Sequence, residues 1–350
     1  MEKNFCHGGL VYDSDGRFDF NLDFSANINP LGLPNSVRRA LIENINGVIH
    51  YPDPAASELK KALSKRYGAA EKNFVLLNGA AEFFYLYFNV TRPARILIPV
   101  PSFSEYEKAA LSTGAQVEYF FLREDENFEL NVEKLLAKVT SESFDCVVIG
   151  RPNNPTGNII SLDALKKISR KVNVLVDESF IDFLPVESAR KIFNEKISVV
   201  QSLTKIFAIP GLRLGFAVVD EVLARRLNFS KDVWNVNFLA QKAGVAALYD
   251  EKYLSDTRAW IEVEKKYFAS KLRELPKVKV FEPTVNFVLI KFLSKEVAVS
   301  VTKKLRAEKI LVRSCGNFAG LDERFLRLAI RTRAENNLLI DTLKKFLEEK

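Results

Sequence analysis

Three apolar runs in the middle of the chain, each ended by polar residues, decide the fold. They are CVVIGRPNNPTG (residues 146–157), VNVLVDESF (residues 172–180) and VVQSLTK (residues 199–205). Short continuous runs of this kind are typical of buried strands. The segments between them show helical periodicity; Leu162, Leu165 and Ile168 follow Ser161, a good N-cap. Strands that alternate with helices predict a mainly parallel sheet covered on both faces.

Similar runs on both sides extend this pattern to a seven-stranded sheet of an α/β protein. The predicted strands are Phe74–Leu77, Arg95–Ile98, Val117–Leu122, Cys146–Ile149, Val172–Val176, Val199–Gln201 and Leu214–Val219. After residue 235 a long helix (Thr257–Leu275) leads into short strands and further helices. We therefore expect a large domain (46–240) and a small α+β domain (241–350), with an N-terminal segment (1–45) packing on the small one.

The composition is that of an ordinary soluble globular chain, with 47% hydrophobic and 27% charged residues. No apolar run is long enough for a membrane span, and the first residues lack the apolar segment of a secretion signal. Three scattered cysteines (Cys6, Cys146 and Cys315) predict reduced thiols in a cytoplasmic protein. Two histidines leave little for a metal site, so no metal is expected.

The net charge of +7 has three interpretations: a nucleic-acid partner, a small anionic ligand, or a lysine-rich solvated surface. The basic residues are interleaved with acidic ones and form no block. We therefore expect no nucleic-acid partner.

Polar clusters follow four of the predicted strands, where open parallel sheets bind their ligands. They are Asn78–Glu82, Asn153–Gly157, Asp177–Glu178 and Ser202–Lys205. Each has a simpler interpretation by itself. The Asn-Pro and Thr-Gly pairs suit an ordinary turn, Asp177 suits a helix N-cap, and Lys205 suits the surface.

In this order and spacing, Asn154, Asp177, Lys205 and Arg213 resemble the signature of fold-type I pyridoxal-phosphate enzymes of the aspartate aminotransferase superfamily. The resemblance spans nearly the whole chain and implies pyridoxal 5'-phosphate as cofactor, bound by the large domain. It gives Lys205 the role of bonding covalently to the cofactor aldehyde. It places Asp177 beside the pyridine nitrogen, which the carboxylate keeps protonated, and Asn154 beside the phenolate oxygen.

The same resemblance implies the remaining cofactor contacts. The expected phosphate cradle consists of Gly79, Ala80, Ala81, Ser202, Thr204 and Arg213. Phe103 is expected to stack on the pyridine ring. Tyr51 is expected to reach the phosphate across the interface of a homodimer. The chain departs from many relatives at Phe180, where a tyrosine would donate a second hydrogen bond to the phenolate oxygen.

Within the superfamily the chain is similar to the branch that contains histidinol-phosphate aminotransferases and threonine-phosphate decarboxylases. The segments that resemble the decarboxylases are His7–Gly9, Phe24–Gly32, Asp177–Phe183, Ala208–Arg213, Ile310–Cys315 and Phe325–Arg331. This resemblance implies decarboxylation of L-threonine O-3-phosphate to (R)-1-amino-2-propanol phosphate and CO2, a step of cobalamin biosynthesis.

The resemblance also implies which side chains hold this substrate. The expected contacts are His7, Asn27, Asn154, Arg313 and Arg327. Arginine suits both the phosphate and the carboxylate, because its planar fork donates two parallel hydrogen bonds. Histidinol-phosphate transamination remains the alternative activity, since that substrate also carries an amine and a phosphate. A regulatory relative without catalysis is disfavoured, because every expected cofactor contact is present.

Overall fold

The computed structural model describes residues 7–348. Cys6 and the first residues of the predicted N-terminal segment lie outside that range.

Strands and helices alternate through the middle of the chain. The strands are β1 (Leu22–Asp23), β2 (Phe74–Leu77), β3 (Arg95–Val100), β4 (Gln116–Phe121), β5 (Cys146–Gly150), β6 (Asn173–Asp177), β7 (Ile197–Ser202), β8 (Gly215–Val218), β9 (Val278–Val280), β10 (Phe287–Phe292), β11 (Ile310–Leu311), β12 (Arg313–Ser314) and β13 (Phe325–Ala329). The α-helices are α1 (Asn35–Asn44), α2 (Ser57–Tyr67), α3 (Glu82–Thr91), α4 (Glu105–Leu111), α5 (Val132–Glu142), α6 (Leu162–Ser169), α7 (Leu203–Ile206), α8 (Glu221–Ser230), α9 (Phe238–Leu248), α10 (Glu251–Arg273), α11 (Lys295–Ala307) and α12 (Arg333–Glu348).

The large sheet has seven strands in the order β2-β8-β7-β6-β5-β3-β4. The strands from β7 to β4 are parallel, and β8 runs antiparallel to its neighbours β7 and β2. All seven predicted strands are confirmed, with their ends moved by at most two residues. The mainly parallel α/β fold is therefore confirmed.

Helices cover both faces of this sheet, which explains why its central strands β5 and β6 are mostly apolar. On β6, Leu175 packs in the cluster that includes α3, α4 and α8. Its neighbours Val174 and Val176 pack on the opposite face, with α5 and α6. Successive strand residues point to opposite faces, so a strand buried on both sides needs apolar residues at every position.

Two predicted helix boundaries have visible causes. Gly68 ends α2 with φ of 74°, a left-handed conformation that glycine adopts without steric cost. The Ser161 side chain accepts a hydrogen bond from Ala164 N at 3.2 Å and so caps α6. The predicted start of the long helix at Thr257 is wrong. The Asp250 side chain accepts from Tyr253 N at 3.0 Å, and this cap starts α10 at Glu251.

The last third of the chain forms a second, antiparallel sheet in the order β12-β13-β10-β9. The single strand predicted at Ile310–Arg313 is divided between two sheets. Its first part, β11, pairs in parallel with β1 near the N-terminus, and its second part, β12, pairs with β13. The chain therefore changes sheets at Val312.

The predicted N-terminal segment contacts two separate apolar clusters. Phe24 belongs to the apolar cluster of the antiparallel sheet, where its ring stacks on Phe268 at 6.4 Å. Val37 of α1 lies instead in the cluster that contains Leu59 and Leu63 of α2. The three-part division of the chain stays a prediction.

Within residues 7–348, no helix is both long and apolar enough to cross a bilayer. Over the same range, no three His, Cys, Asp or Glu side chains come together as ligands for a metal ion. Cys146 and Cys315 are free and buried.

Candidate functional site

A cavity of about 250 Å³ opens where β5, β6 and β7 end. Most of the predicted site residues line it, although they come from distant parts of the sequence. Those that line it are His7, Asn27, Ala80, Ala81, Phe103, Asn154, Asp177, Ser202, Thr204, Lys205, Arg213, Arg313 and Arg327. A larger groove of about 750 Å³ lies between the 127–132 loop and residues 280–284. Its charged residues Arg273 and Glu282 pair with each other. We therefore place the functional site in the smaller cavity, which the predicted residues line.

Asp177 is the last residue of β6, and its carboxylate is buried at the floor of the cavity. One oxygen accepts from Ser179 N at 2.9 Å, and the other accepts from the Tyr106 hydroxyl at 2.7 Å. Burial raises the pKa of the Asp177 carboxyl, although both hydrogen bonds act against that rise. A desolvated carboxylate strongly favours a cationic partner, as the protonated nitrogen of a pyridine ring would be.

Lys205 lies in α7, immediately after β7, so its amine reaches the cavity from the strand next to Asp177. Burial, followed by the positive charges of Arg213 and Arg327, lowers the pKa of Lys205 to about 8. The nearby Asp177 acts in the opposite direction. A lysine with such a pKa carries an unprotonated, nucleophilic amine near neutral pH much more often than a surface lysine.

The loop after β2 and the residues around the end of β7 form one end of the cavity, which we call the cradle. A Cβ on Gly79 would stand 2.3 Å from Nη2 of Arg213, and a Cβ on Gly215 would stand 2.6 Å from Ala80 N. Both glycines therefore permit a close approach that any side chain would block. The Ser202 and Thr204 hydroxyls lie 2.6 Å apart at the same end of the cavity. Backbone amides, hydroxyls and an arginine are the donors that hold a phosphate dianion, so these residues fit the cofactor phosphate.

The space above Asp177 is flanked by aromatic side chains. Phe103 lines the cavity and contacts the Tyr106 ring edge to face, with ring centres 5.6 Å apart. Phe180 is buried and stands edge-on to Phe287, at 5.1 Å. Aromatic side chains at the cavity wall suit contact with a planar heteroaromatic ring. Phe180 adds no hydroxyl to this wall.

Arg313 and Arg327 face each other directly across the antiparallel pair β12–β13. Both are buried, with 8% and 6% of their surface exposed. Directly opposed side chains lie on the same face of a sheet, and like charges there repel each other. Four cationic side chains, including this pair, line the cavity together with the single carboxylate of Asp177. The cavity therefore has an excess of positive charge that favours anionic ligands.

Each arginine is oriented by neighbours. Arg327 donates to the Asn154 side chain at 2.5 Å and to Ser25 O at 2.6 Å, and its buried Nε atom has no partner. Burial lowers the pKa of Arg327 to about 10. Arg313 donates to Asn317 at 2.8 Å and stacks on Phe318, 4.9 Å from the ring centre. These contacts leave both guanidinium groups at the cavity wall.

The N-terminal part of the chain completes the cavity. His7 donates from Nε2 to Glu105 at 2.7 Å, and its ring lies 5.5 Å from that of Phe103. Asn27 is buried, and its side-chain oxygen has no hydrogen-bond partner. A buried acceptor of this kind costs free energy unless a bound molecule or water donates to it.

Two of the predicted residues stand outside the cavity. Gly79 does not line it but shapes the cradle, as described above. Tyr51 has 76% of its surface exposed and stacks on Trp234 at 4.1 Å. Sequence reasoning missed Tyr106 and Glu105. Tyr106 stands three residues after Phe103, a spacing that places two side chains on the same side of a helical turn, whereas no comparable signal marks Glu105.

The sequence and the fold both match those of known proteins. The family model "Aminotransferase class I and II" matches residues 21–343. The chain belongs to this family, and the resemblance read from its motifs is confirmed.

Two curated relatives narrow the position within the family. The chain is 36% identical to a threonine-phosphate decarboxylase of Salmonella typhimurium, over 98% of this chain and 97% of the relative. It is 35% identical to the adenosylcobalamin biosynthesis bifunctional protein CobDQ of Leptospira interrogans, over 96% of this chain and 40% of that protein.

Two solved structures share the fold. A histidinol-phosphate aminotransferase from Clostridium acetobutylicum has a TM-score of 0.86 and 32% identity, covering 94% of this chain and 100% of that one. An L-threonine-O-3-phosphate decarboxylase from Porphyromonas gingivalis has a TM-score of 0.84 and 26% identity, with the same coverage. The fold therefore does not discriminate between the two activities; only the residues of the site can do so.

Proposed function

We propose that this protein is a pyridoxal-phosphate-dependent decarboxylase that converts L-threonine O-3-phosphate to (R)-1-amino-2-propanol phosphate and CO2 in cobalamin biosynthesis. The observation that carries the proposal is the facing pair of buried arginines, Arg313 and Arg327. Two opposed guanidinium groups suit a substrate with two anionic ends, a phosphate and a carboxylate. The relatives named for this reaction and for cobalamin biosynthesis support the same substrate.

The cavity fits pyridoxal 5'-phosphate at each of its chemical groups. Ala80, Ala81, Ser202, Thr204 and Arg213 would hold the phosphate. Asp177 would hold the proton on the ring nitrogen, and Phe103 would cover the ring face. When bound, the cofactor supplies an electron sink for the electron pair released at the substrate Cα.

The residues of the chain have distinct tasks in this reaction. The Lys205 amine would hold the cofactor covalently until the substrate amine replaces it, and it would then be free to carry protons at Cα. Asn154 bridges the two halves of the cavity, because the oxygen of its side chain accepts from Arg327. The placement of Arg327 therefore depends on a residue that contacts the cofactor.

The choice of reaction is a matter of orientation. Of the bonds at the substrate Cα, the one that stands perpendicular to the conjugated plane of the bound cofactor would break most readily. Arginines that hold the carboxylate out of this plane favour loss of CO2, whereas an in-plane carboxylate favours loss of the Cα proton and transamination. Asn27, with its unpartnered buried oxygen, is placed to accept a hydrogen bond from the same substrate.

We also propose that the protein works as a homodimer in the cytoplasm. Tyr51 does not line the cavity of its own chain; it is exposed and stacks on Trp234, and Ile49, two residues before it, is exposed as well. A second copy would cover these side chains and would bring Tyr51 to the cofactor phosphate of its partner. The scattered, unpaired thiols support a reducing compartment.

Transamination of histidinol phosphate is the second candidate, because a structure with that name has a TM-score of 0.86 to this chain. One experiment separates the two. Protein reconstituted with pyridoxal phosphate is given L-threonine O-3-phosphate without any keto acid, and CO2 is measured. A parallel reaction contains histidinol phosphate and 2-oxoglutarate. CO2 release in the first reaction supports the decarboxylase, and glutamate formation in the second without CO2 in the first would replace it with the aminotransferase.

A further inference from the structure

Glu105 is a buried carboxylate directly behind the cavity wall. It is the first residue of α4 and has 8% of its surface exposed. Its Oε2 accepts from the Tyr85 hydroxyl of α3 at 2.6 Å, and its Oε1 accepts from Nε2 of His7 at 2.7 Å. Lys108 lies farther away, with Nζ 3.7 Å from Oε1. A buried carboxylate requires such partners, and one of them is a side chain of the cavity.

Glu105, His7 and Tyr85 form a hydrogen-bonded trio in which Glu105 and Tyr85 have shifted pKa values. Burial by itself raises the pKa of the Glu105 carboxyl, but the hydrogen bonds from His7 and Tyr85 outweigh it, and the net pKa lies below the usual value. Burial, together with Glu105, raises the pKa of the Tyr85 hydroxyl. Glu105 is therefore an anion that only accepts, and Tyr85 keeps its proton and donates. In this contact the hydrogen of His7 must be on Nε2, because the carboxylate has none to give.

The trio restrains an otherwise weakly held side chain. His7 is in the first part of the described chain, and its side chain is 40% exposed. The backbone next to it is anchored, since Gly9 N donates to Ser25 at 2.8 Å and a Cβ on Gly8 would stand 2.2 Å from Ser25 O. The imidazole itself is oriented by Glu105. The contact with Glu105 is made by Nε2, so Nδ1 is the ring nitrogen that does not contact this carboxylate.

We propose that Glu105, held in place by Tyr85, is a positioning residue that orients His7 toward the phosphate of the substrate. The inference rests on the proposed function and deepens it. His7, Arg313 and Arg327 line the same cavity, and an imidazole with a carboxylate behind it can take up a proton on Nδ1 and donate to a phosphate. One short stretch of chain then serves three parts of the site, since Phe103 flanks the ring, Glu105 orients His7 and Tyr106 donates to Asp177.

The kinetic test uses a double-mutant cycle on the holoenzyme. His7→Gln and Glu105→Gln are each expected to raise the KM for L-threonine O-3-phosphate by about tenfold, with a smaller change in kcat. The double variant should stay within about twofold of either single variant, because both changes remove one interaction. Tyr85→Phe should raise KM by about twofold to fivefold. Tyr87→Phe is the matched control on the same helix, since its hydroxyl does not bond to Glu105, and its KM should equal that of the wild type.

A second measurement is independent of the activity. The chain has only two histidines, so the ring nitrogens of His7 can be identified by 15N NMR after His50→Gln removes the other signal. In the wild type we expect the hydrogen on Nε2, and in Glu105→Ala a mixture of the two tautomers.

The two measurements separate the possible failures. Effects of His7→Gln and Glu105→Gln that multiply in the double variant would overturn the positioning role, as would His7 signals that are unchanged in Glu105→Ala. If the wild type releases no CO2 but His7 depends on Glu105 as expected, the positioning contact is supported and the proposed substrate is wrong.

Discussion

The two halves of the cavity are built by different means. Asp177 and Lys205 stand at the ends of the adjacent parallel strands β6 and β7, so one sheet sets their separation. On the other side, Arg327 is held by Ser25, which is 302 positions away in the sequence, and His7 by Glu105, which is 98 positions away. The cofactor half thus depends on one rigid sheet, and the substrate half on the assembly of three distant segments. Changes in the cofactor half should reduce turnover, and changes in the substrate half should weaken binding or alter the reaction.

The largest effect is expected for Lys205→Ala. Because this variant lacks the amine that bonds to the cofactor and moves protons, kcat should fall by at least about a thousandfold. Borohydride reduction of the wild type followed by peptide mapping should place the cofactor mass on Lys205. Lys231→Ala is the matched control, because burial also lowers the pKa of Lys231 to about 8 although it does not line the cavity. Labelling of any other lysine would refute the assignment.

The next largest effect is expected for Asp177→Asn. This variant keeps the shape of the side chain. Its amide oxygen can accept from Ser179 N while its NH2 group donates to the Tyr106 hydroxyl, but it no longer stabilises a proton on the cofactor ring. We expect cofactor binding to persist and kcat to fall by about a hundredfold to a thousandfold. Asp182→Asn, outside the cavity, serves as the control. Turnover near the wild-type value in Asp177→Asn would show that another group protonates the ring.

In the substrate half, Arg313→Ala and Arg327→Ala should act mainly on KM. Loss of one charge-assisted contact should raise the KM for L-threonine O-3-phosphate by about tenfold to a hundredfold, while cofactor affinity changes little. A carboxylate that is no longer held should also turn into the conjugated plane. The ratio of CO2 released to cofactor converted into its amine form should then fall.

Arg324→Ala is the control for both arginine variants, since Arg324 pairs with Asp322 at 2.6 Å and does not line the cavity. Variants with an unchanged KM and an unchanged product ratio would show that this pair of arginines does not hold the substrate.

The smallest effect is expected for Phe180→Tyr, which restores a donor near the phenolate oxygen of the cofactor. One neutral hydrogen bond is worth about 0.5–1.5 kcal/mol, which corresponds to a decrease of about 0.4–1.1 units in the pKa of the proton shared by the phenolate and the lysine linkage. A spectroscopic pH titration of the holoenzyme measures it. An unchanged midpoint would mean that the new hydroxyl does not reach the oxygen.

The sequence predicts the strands and the site residues well where a buried strand is followed directly by the polar residues of the cavity. The runs that become β5, β6 and β7 are apolar because helices cover both faces of the sheet, and the polar residues that end them are those that line the cavity. At Ile310–Arg313 the sequence predicts one strand, whereas the structure has two short strands, β11 and β12. Periodicity reports that a segment is extended but not which partner it pairs with, and β11 and β12 pair with different sheets.

The sequence by itself determined the order of buried strands, the polar residues at their ends and the family to which these belong, because strand burial and ligand chemistry depend on residues close together in the chain. Only the tertiary structure decided that Arg313 stands opposite Arg327 and that Tyr106 supports Asp177. Only it could show that Glu105 meets His7, because these contacts join residues whose separation along the chain leaves no periodic signal.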